Sequence, residues 1–465
     1  MKKKNLNNFS YTFIANFINL LGGVISVLLI PKFLNIDEFA YLKIFTLYLT
    51  YVGIFHFGFN DGIYIRYGNY DYDDLEKKKV SANFKFLVIV QTLISVSVML
   101  IALFIIKEPL VSNIWLVIAI NIFLVNVSGF LSFISQVTKE FKLYARSMII
   151  GKVTYIVGIV VVIFLGNKSH IIFMWLTTLG NALTALILIL RYRELILTKS
   201  EKIKNVIGDI KENYKIGFFI MIGNFVSLAL LGLDRIFVEK LFTLQEFAMY
   251  SFAFSVITMF YMISNTLATV VYPYITRFKK EELGECYVVI KNSCNFILAV
   301  TISGYFVIDI FVRMVLPDYI DSIEIIRILT PTILISGQIS VTVINYYKAM
   351  KFNKEYIKNN VIALILALIL NIVAYLIFKT PESIAWASLG TFIIWSFYSD
   401  IFFMKKLNIK LFKSSLLQII IVIIFLLCSY IENKVLGISL YLVALVILLI
   451  KFYFKQINIM INKLK

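Results

Sequence analysis

The chain has 465 residues, of which 60% are hydrophobic and 15% charged, and a formal net charge of +18. Its mean hydropathy of +0.88 lies far above that of soluble domains, where apolar residues are nearer half, and this excludes an ordinary soluble globular protein. Three cysteines without paired spacing and only two histidines, His56 and His170, give no basis for a disulfide framework or for histidine-based metal or haem chemistry.

Apolar runs of bilayer-spanning length follow one another along the whole chain. Fourteen spans are predicted: 9–31, 40–60, 86–106, 114–136, 148–165, 171–190, 216–238, 247–274, 292–312, 323–346, 359–378, 383–404, 414–431 and 435–450. Breakers and charges such as "PKFLNIDE", "KEPLVSN", "GNKSH", "KTPES" and "ENKVLG" punctuate them. The start "MKKKNLNNFS" has no convincing cleavage site after it, so the first span is read as retained. Asp61 and Gly62 are expected to break the second span, and Pro273 and Pro331 to kink the eighth and tenth.

The distribution of charge tests this count. With the loops numbered alternately and the N-terminus inside, 34 of the 45 Lys and Arg fall on the inner set and seven on the outer, while Lys43, Lys152, Arg235 and Arg327 remain within or at the ends of spans. That asymmetry follows the positive-inside rule and predicts that both termini are cytoplasmic. It also accounts for the net charge as topology plus attraction to anionic headgroups, so no nucleic-acid partner is expected. The longest loop, 191–215, has about 25 residues, too few to fold as a catalytic domain. The Asp71-x-Asp73 pair in "NYDYDDLEKKK" sits in such a loop and reads as solvated charge. No phosphate-binding loop or metal-ligand cluster accompanies it, so neither ATP hydrolysis nor a cofactor is expected.

An internal repeat is visible at an offset of 208 residues, where Asn16 meets Asn224, Phe17 meets Phe225, Leu20 meets Leu228, Lys32 meets Lys240, "EFA" at 38–40 meets "EFA" at 246–248, and Tyr64 meets Tyr272. The offset equals six spans, an even number, so the halves share orientation. The predicted fold is an all-α polytopic membrane protein with two parallel six-helix lobes, spans 1–6 and 7–12, around a central cleft, plus two C-terminal helices. The corresponding divisions are 1–200, 201–410 and 411–465.

Ionisable residues within spans mark functional sites by default. Arg235, in "LLGLDRIFVE", either pairs with Glu239 one turn on and snorkels outward or faces the cleft to meet an anionic group, and the second reading is preferred. Asp234 is either a partner for a basic residue on another span, with Arg327 a candidate, or a carboxylate that couples transport to a proton or Na⁺ gradient. The repeat places Ser26 and Val27 where Asp234 and Arg235 stand, so the fold does not require the pair in both lobes. Lys152 either snorkels or lines the inner mouth, Arg66 reads as an interfacial anchor or a cleft cation, and Arg327 pairs locally with Glu324 or faces the cleft. His56 and Asp309 are weaker candidates. Asn16, Asn19, Asn121, Asn126, Asn181, Asn224, Gln338, Asn345 and Asn371 lie within spans, where each lines a polar cleft or bonds helix to helix.

The stretches "LDRIFVEKLFTLQEFAMYSFAF" (233–254), "VVYPYITR" (270–277) and "FGFNDGIYIRYGN" (57–69), with the plan of twelve spans plus two, resemble the Wzx-type O-antigen and capsule oligosaccharide-lipid flippases of the multidrug/oligosaccharidyl-lipid/polysaccharide exporter superfamily. The resemblance implies transfer of undecaprenyl-pyrophosphate-linked oligosaccharide from the cytoplasmic to the outer leaflet of the bacterial inner membrane by alternating access, without enzymatic chemistry. It implies a cationic cavity for the pyrophosphate, for which Arg235, Lys152, Arg66, Arg327 and Asn224 are the candidates here, with Asp234 as the candidate ion-coupling residue. Expected partners are the lipid-linked oligosaccharide, membrane lipids, and the polymerase and chain-length proteins of the same pathway. The alternatives are a cation-coupled multidrug antiporter of the same superfamily and a membrane polymerase or acyltransferase.

Overall fold

The structure, a computed structural model, describes residues 22–464 apart from Val24 and Asn69. Among the described residues every regular element is a helix. After a single helical turn at Ile30–Phe33 come α1 (Ile36–Leu49), a tight 3₁₀ turn (Val52–His56), α2 (Phe59–Arg66), α3 (Lys77–Phe104), α4 (Pro109–Val137), α5 (Phe141–Phe164) and α6 (His170–Arg191). The long α7 (Ile203–Leu241) leads to α8 (Leu244–Ile275), α9 (Leu283–Ile302), α10 (Gly304–Val315) and α11 (Ser322–Gln338). Then follow α12 (Asn345–Ala349), α13 (Asn353–Phe378), α14 (Pro381–Leu407), α15 (Phe412–Ser429) and α16 (Lys434–Leu464).

Among the described residues thirteen segments are long and apolar enough to cross a membrane, and they coincide one for one with the second to fourteenth predicted spans. The first predicted span, 9–31, lies mainly outside the described residues. The chain divides into two compact units, Met1–Ala229 and Leu230–Lys465.

The repeat is written in the helix ends. Phe33 and Leu241 each end a helix, and Ile36 and Leu244 each begin one, both pairs at the offset of 208. Asn35 caps α1 by accepting from the Glu38 N–H (2.8 Å), and Thr243 caps α8 by accepting from the Glu246 N–H, with Glu246 returning to the Thr243 N–H. The same capping chemistry at the same register fixes where the second span of each half starts.

Two expectations change. The loop 191–215 is helical at Arg193–Leu197 and from Ile203 onward, because its charged first turns are held by the first unit. Arg66 donates to the Asp209 carboxylate (2.6 Å), the Asp209 carbonyl (3.0 Å) and the Asn213 side chain (2.8 Å). The break in the second span falls at Phe57 and Gly58, not at Asp61 and Gly62, which lie inside α2. Pro273 and Pro331 lie within α8 and α11, and a wide π-turn follows α11 at Ile339–Ile344.

Lys291, one residue before the ninth predicted span, is fully buried in α9. It pairs with Asp400 of α14 and donates to Ser415 of α15 (3.3 Å), while Ser415 also donates to Asp400 (2.7 Å). This three-helix polar junction ties α15, the first of the two appended helices, to the second unit. An ion pair removed from water has no fallback when one partner is lost.

In the first unit, α2 crosses α7 at backbone contact. A Cβ on Gly217 would lie 1.8 Å from the Gly58 carbonyl oxygen, and one on Gly62 would lie 2.1 Å from that of Asn213. Gly58 and Gly62, four apart on one side, and Gly217 on the other allow this approach.

Gly217→Ala is therefore expected to cost about 3 kcal/mol or more, since overpacking against movable side chains already costs roughly 1–3. Gly208→Ala on the same helix, with open space around it, is expected to be neutral; thermal unfolding in detergent compares them. Lys291→Met alone is expected to lose about 3–5 kcal/mol and Lys291→Met with Asp400→Leu to recover most of it, read in the same assay as a double-mutant cycle.

Candidate functional site

The second predicted span is discontinuous. Past α1 and the 3₁₀ turn the backbone enters the left-handed region at Phe57 (φ 49°) and Gly58 (φ 84°), then restarts as α2. A bulky residue with positive φ is costly and is kept only where its surroundings impose it. Here three buried amides do so. Gln91 of α3 donates to the Phe55 carbonyl (2.9 Å), Asn126 of α4 donates to the Val52 carbonyl (3.1 Å) and to Gln91 Oε1 (3.0 Å), and Asn60 of α2 donates to the Asn126 carbonyl (2.9 Å). Non-helical backbone at membrane depth is tolerated only when its polar groups are answered by protein in this way. The corresponding positions of α8, Asn265 and Thr266, lie in continuous helix, so the break belongs to the first half alone.

The break opens a cavity of about 210 Å³ within the first unit. Phe133, Met221, Phe225 and Leu228 form apolar walls, and Thr50, Tyr51, His56, Asp61 and Asn224 supply polar groups. His56 Nδ1 accepts from the Gly58 N–H (3.0 Å), which turns Nε2 toward Asp61 Oδ2 at 3.7 Å. Both side chains are nearly buried, at 13% and 11% exposure. A cavity between helices with apolar walls and a few converging polar groups is the usual form of a small binding site, and discontinuous spans are where transporters place such sites.

The sequence-predicted residues are distributed as follows. Asn224 lines this cavity; Arg66 and Lys152 do not. Arg66 is committed to Asp209 and Asn213, with Glu212 at 3.3 Å. Lys152 lies over the ring of Tyr155 (5.1 Å) on its own helix. In the second unit Arg235 is buried with its guanidinium over Phe254 (4.7 Å). Asp234, also buried, accepts from the Tyr250 hydroxyl (2.9 Å), the Ser388 hydroxyl (3.3 Å) and the Arg235 N–H (2.8 Å). It is therefore not the partner of Arg327. Arg327 pairs with Glu324, donates to the Tyr305 hydroxyl (3.2 Å) and lies over Tyr430 (4.2 Å), since a carboxylate one turn away is closer than one on another span. With Arg313, Asp321, Glu324 and Glu382 it lines a separate cavity of about 360 Å³.

Most of the intramembrane amides bond helix to helix. Asn181 donates to Asn121 (2.8 Å), which donates to Thr178 (2.8 Å), and Asn345 donates to the Ala268 carbonyl (2.8 Å). The His56–Asp61 pair was not singled out from the sequence. Its signal is "HFGFND", a histidine two residues before a glycine and five before an aspartate, which becomes a pair only once the turn at Phe57–Gly58 folds the chain back.

These features define a class: a multi-span helical membrane protein whose two halves repeat and whose second span is broken around a polar cavity. The chain belongs to the polysaccharide biosynthesis protein family, which matches residues 5–279. Its fold is that of the lipid II flippase MurJ in an inward closed conformation, at 15% identity and a TM-score of 0.72 over 96% of this chain and 99% of that one. It is also similar to an inward-facing multidrug resistance MATE family transporter of the MOP superfamily (12% identity, TM-score 0.62, 85% and 94% covered). The eukaryotic MATE transporter AtDTX14 shares it too (11% identity, TM-score 0.58, 94% and 98% covered). A comparison with curated proteins finds no match.

Gln91→Leu and Asn126→Leu each strand a carbonyl at the break, and each is expected to cost about 1–3 kcal/mol. Thermal unfolding in detergent measures the loss. Asn121→Leu, which disturbs no backbone group of the break, is expected to leave protease cleavage near residues 50–60 unchanged where the other two increase it.

Proposed function

We propose that this protein is a flippase that moves undecaprenyl-pyrophosphate-linked oligosaccharide from the cytoplasmic to the outer leaflet of a bacterial inner membrane by alternating access, for surface polysaccharide assembly of the O-antigen or capsule type. The observation that carries the reading is membership of a polysaccharide biosynthesis family by a chain made almost entirely of membrane spans. Its loops leave no room for a folded catalytic domain, which needs about 50 residues or more, so its part in the pathway is transport. The fold shared with a lipid flippase supports this reading.

In this reading both termini are cytoplasmic, spans 1–6 and 7–12 are the two moving lobes, divided near residues 200 and 410, and the last two helices are an appendix. Arg235 and Lys152 are the cations proposed to meet the pyrophosphate, and Asn224 is proposed to bond the sugar from the broken-span cavity. Arg66 and Arg327 already share their charge with Asp209 and Glu324 and are proposed to act, if on substrate at all, only by exchanging those partners. Asp234 is the proposed coupling carboxylate in the second half. A polymerase and a chain-length protein are the proposed downstream partners, since a flipped repeat unit must be consumed.

Deletion of the gene, in a strain without a redundant flippase, is expected to abolish surface polysaccharide while lipid-linked repeat units accumulate on the inner leaflet. Arg235→Gln is expected to lower complementation flux about tenfold or more, the weight of one charge-assisted contact of roughly 1.5–3 kcal/mol. Intact polysaccharide together with new sensitivity to cationic drugs would instead support the multidrug antiporter.

A further inference from the structure

We propose that His56 and Asp61 form a proton-binding site, and that loading it releases the Phe57–Gly58 break in the second span. The Gly58 N–H donates to His56 Nδ1 (3.0 Å), so in this arrangement Nδ1 is bare and the imidazole carries its hydrogen on Nε2. Nε2 faces Asp61 Oδ2 at 3.7 Å, close enough for attraction and too long for a hydrogen bond.

A proton arriving at this site can rest on the Asp61 carboxylate, which leaves the Gly58 bond intact, or in the one vacancy of the imidazole, Nδ1. Filling it sets an N–H against the Gly58 N–H, donor against donor, and removes the acceptor that helps to hold Gly58 at φ 84°. The same event turns His56 into a cation facing a carboxylate. The unloaded site carries a net negative charge in a nearly buried cavity; the loaded site is a neutral ion pair. The exchange is therefore a hinge hydrogen bond lost for an ion pair gained, in surroundings where an unpaired charge is costly.

Among the described residues, His56 of the turn, Asp61 of α2 and Tyr51 beyond the end of α1 are the titratable groups on the cavity wall. Helices α4 and α7 contribute apolar side chains and the neutral Asn224, and α3 contributes Gln91 behind the turn. The hinge bears directly on α7, because Gly58 and Gly217 meet backbone to backbone. A change at Gly58 is thus felt by the helix that carries Asn224. This role in coupling rests on the transport reading above; the proton site itself does not.

The chain has two histidines, so tag-free protein labelled with ¹⁵N-histidine in nanodiscs shows two imidazoles, assigned with H170Q. At alkaline pH His56 is expected as the Nε2–H tautomer. On acidification it takes up one proton, and D61N is expected to weaken that uptake about tenfold or more, since an opposite charge at this range shifts such a site by roughly 1–3 pH units. Hydrogen exchange of the 52–62 segment, corrected for intrinsic pH dependence, is expected to accelerate on loading. H56Q, which retains an acceptor but cannot titrate, is expected to remain slow at both pH values; D61N supplies the same comparison if H56Q misfolds. An Nδ1–H tautomer, uptake unchanged in D61N, or exchange indifferent to loading would each overturn the proposal. Linked uptake and release in a protein that moves no lipid-linked oligosaccharide would uphold the proton site and remove the flippase reading. Flipping at a pH-independent rate without that linkage would do the reverse.

Discussion

In hydrocarbon no water is present to answer a backbone N–H or C=O, so every interruption of a spanning helix must be closed by protein. That constraint organises the first unit. The second span is interrupted; Gln91 and Asn126 reach in from two helices to satisfy carbonyls it frees, and Asn60, just past the break, donates to the Asn126 carbonyl. The glycines of α2 and α7 then bring those helices into backbone contact beside the break. What results is a polar cavity at a point where the chain is already bent. The second half repeats the first in helix ends and caps, yet runs straight through the equivalent position. The halves therefore share a frame and differ at this break.

Charge obeys the same constraint. Each buried ionic group for which the structure gives partners is met within its own unit: Lys291 by Asp400, Asp309 by Arg313 and the Tyr305 hydroxyl, and Asp234 by two hydroxyls and a backbone N–H. Pairing of this kind makes the helices specific in register more than it makes them stable. The His56–Asp61 pair differs because it lies on a cavity wall and stands beyond hydrogen-bond range. A neutral imidazole there faces a carboxylate without closing on it, which suits the proposed uptake and return of a proton.

Much of the frame was legible in the sequence. Hydropathy over some twenty residues decides whether a segment spans, so thirteen spans were placed one for one among the described residues. The offset of 208 residues located the duplication before any helix end was known. The site was less legible because its geometry is not local. Lys291 sits beside a polar stretch and reads as loop charge until Asp400, 109 residues away, is brought to it. The helix break was expected at Asp61–Gly62 because glycine and aspartate are poor helix formers; the tight approach of α7 placed it at Phe57–Gly58 instead. His56 then gained a partner that no spacing rule assigns.

The central claim is that a lipid-linked oligosaccharide crosses the membrane through this protein. The direct measurement reconstitutes the purified chain into liposomes with a fluorescent polyprenyl-pyrophosphate-linked oligosaccharide and follows the fraction that a membrane-impermeant quencher reaches over time. The account predicts protein-dependent movement of the labelled lipid between leaflets, competed by unlabelled lipid-linked oligosaccharide and unaffected by cationic drugs. Leaflet-locked lipid in vesicles that exchange a cationic dye for protons would contradict it.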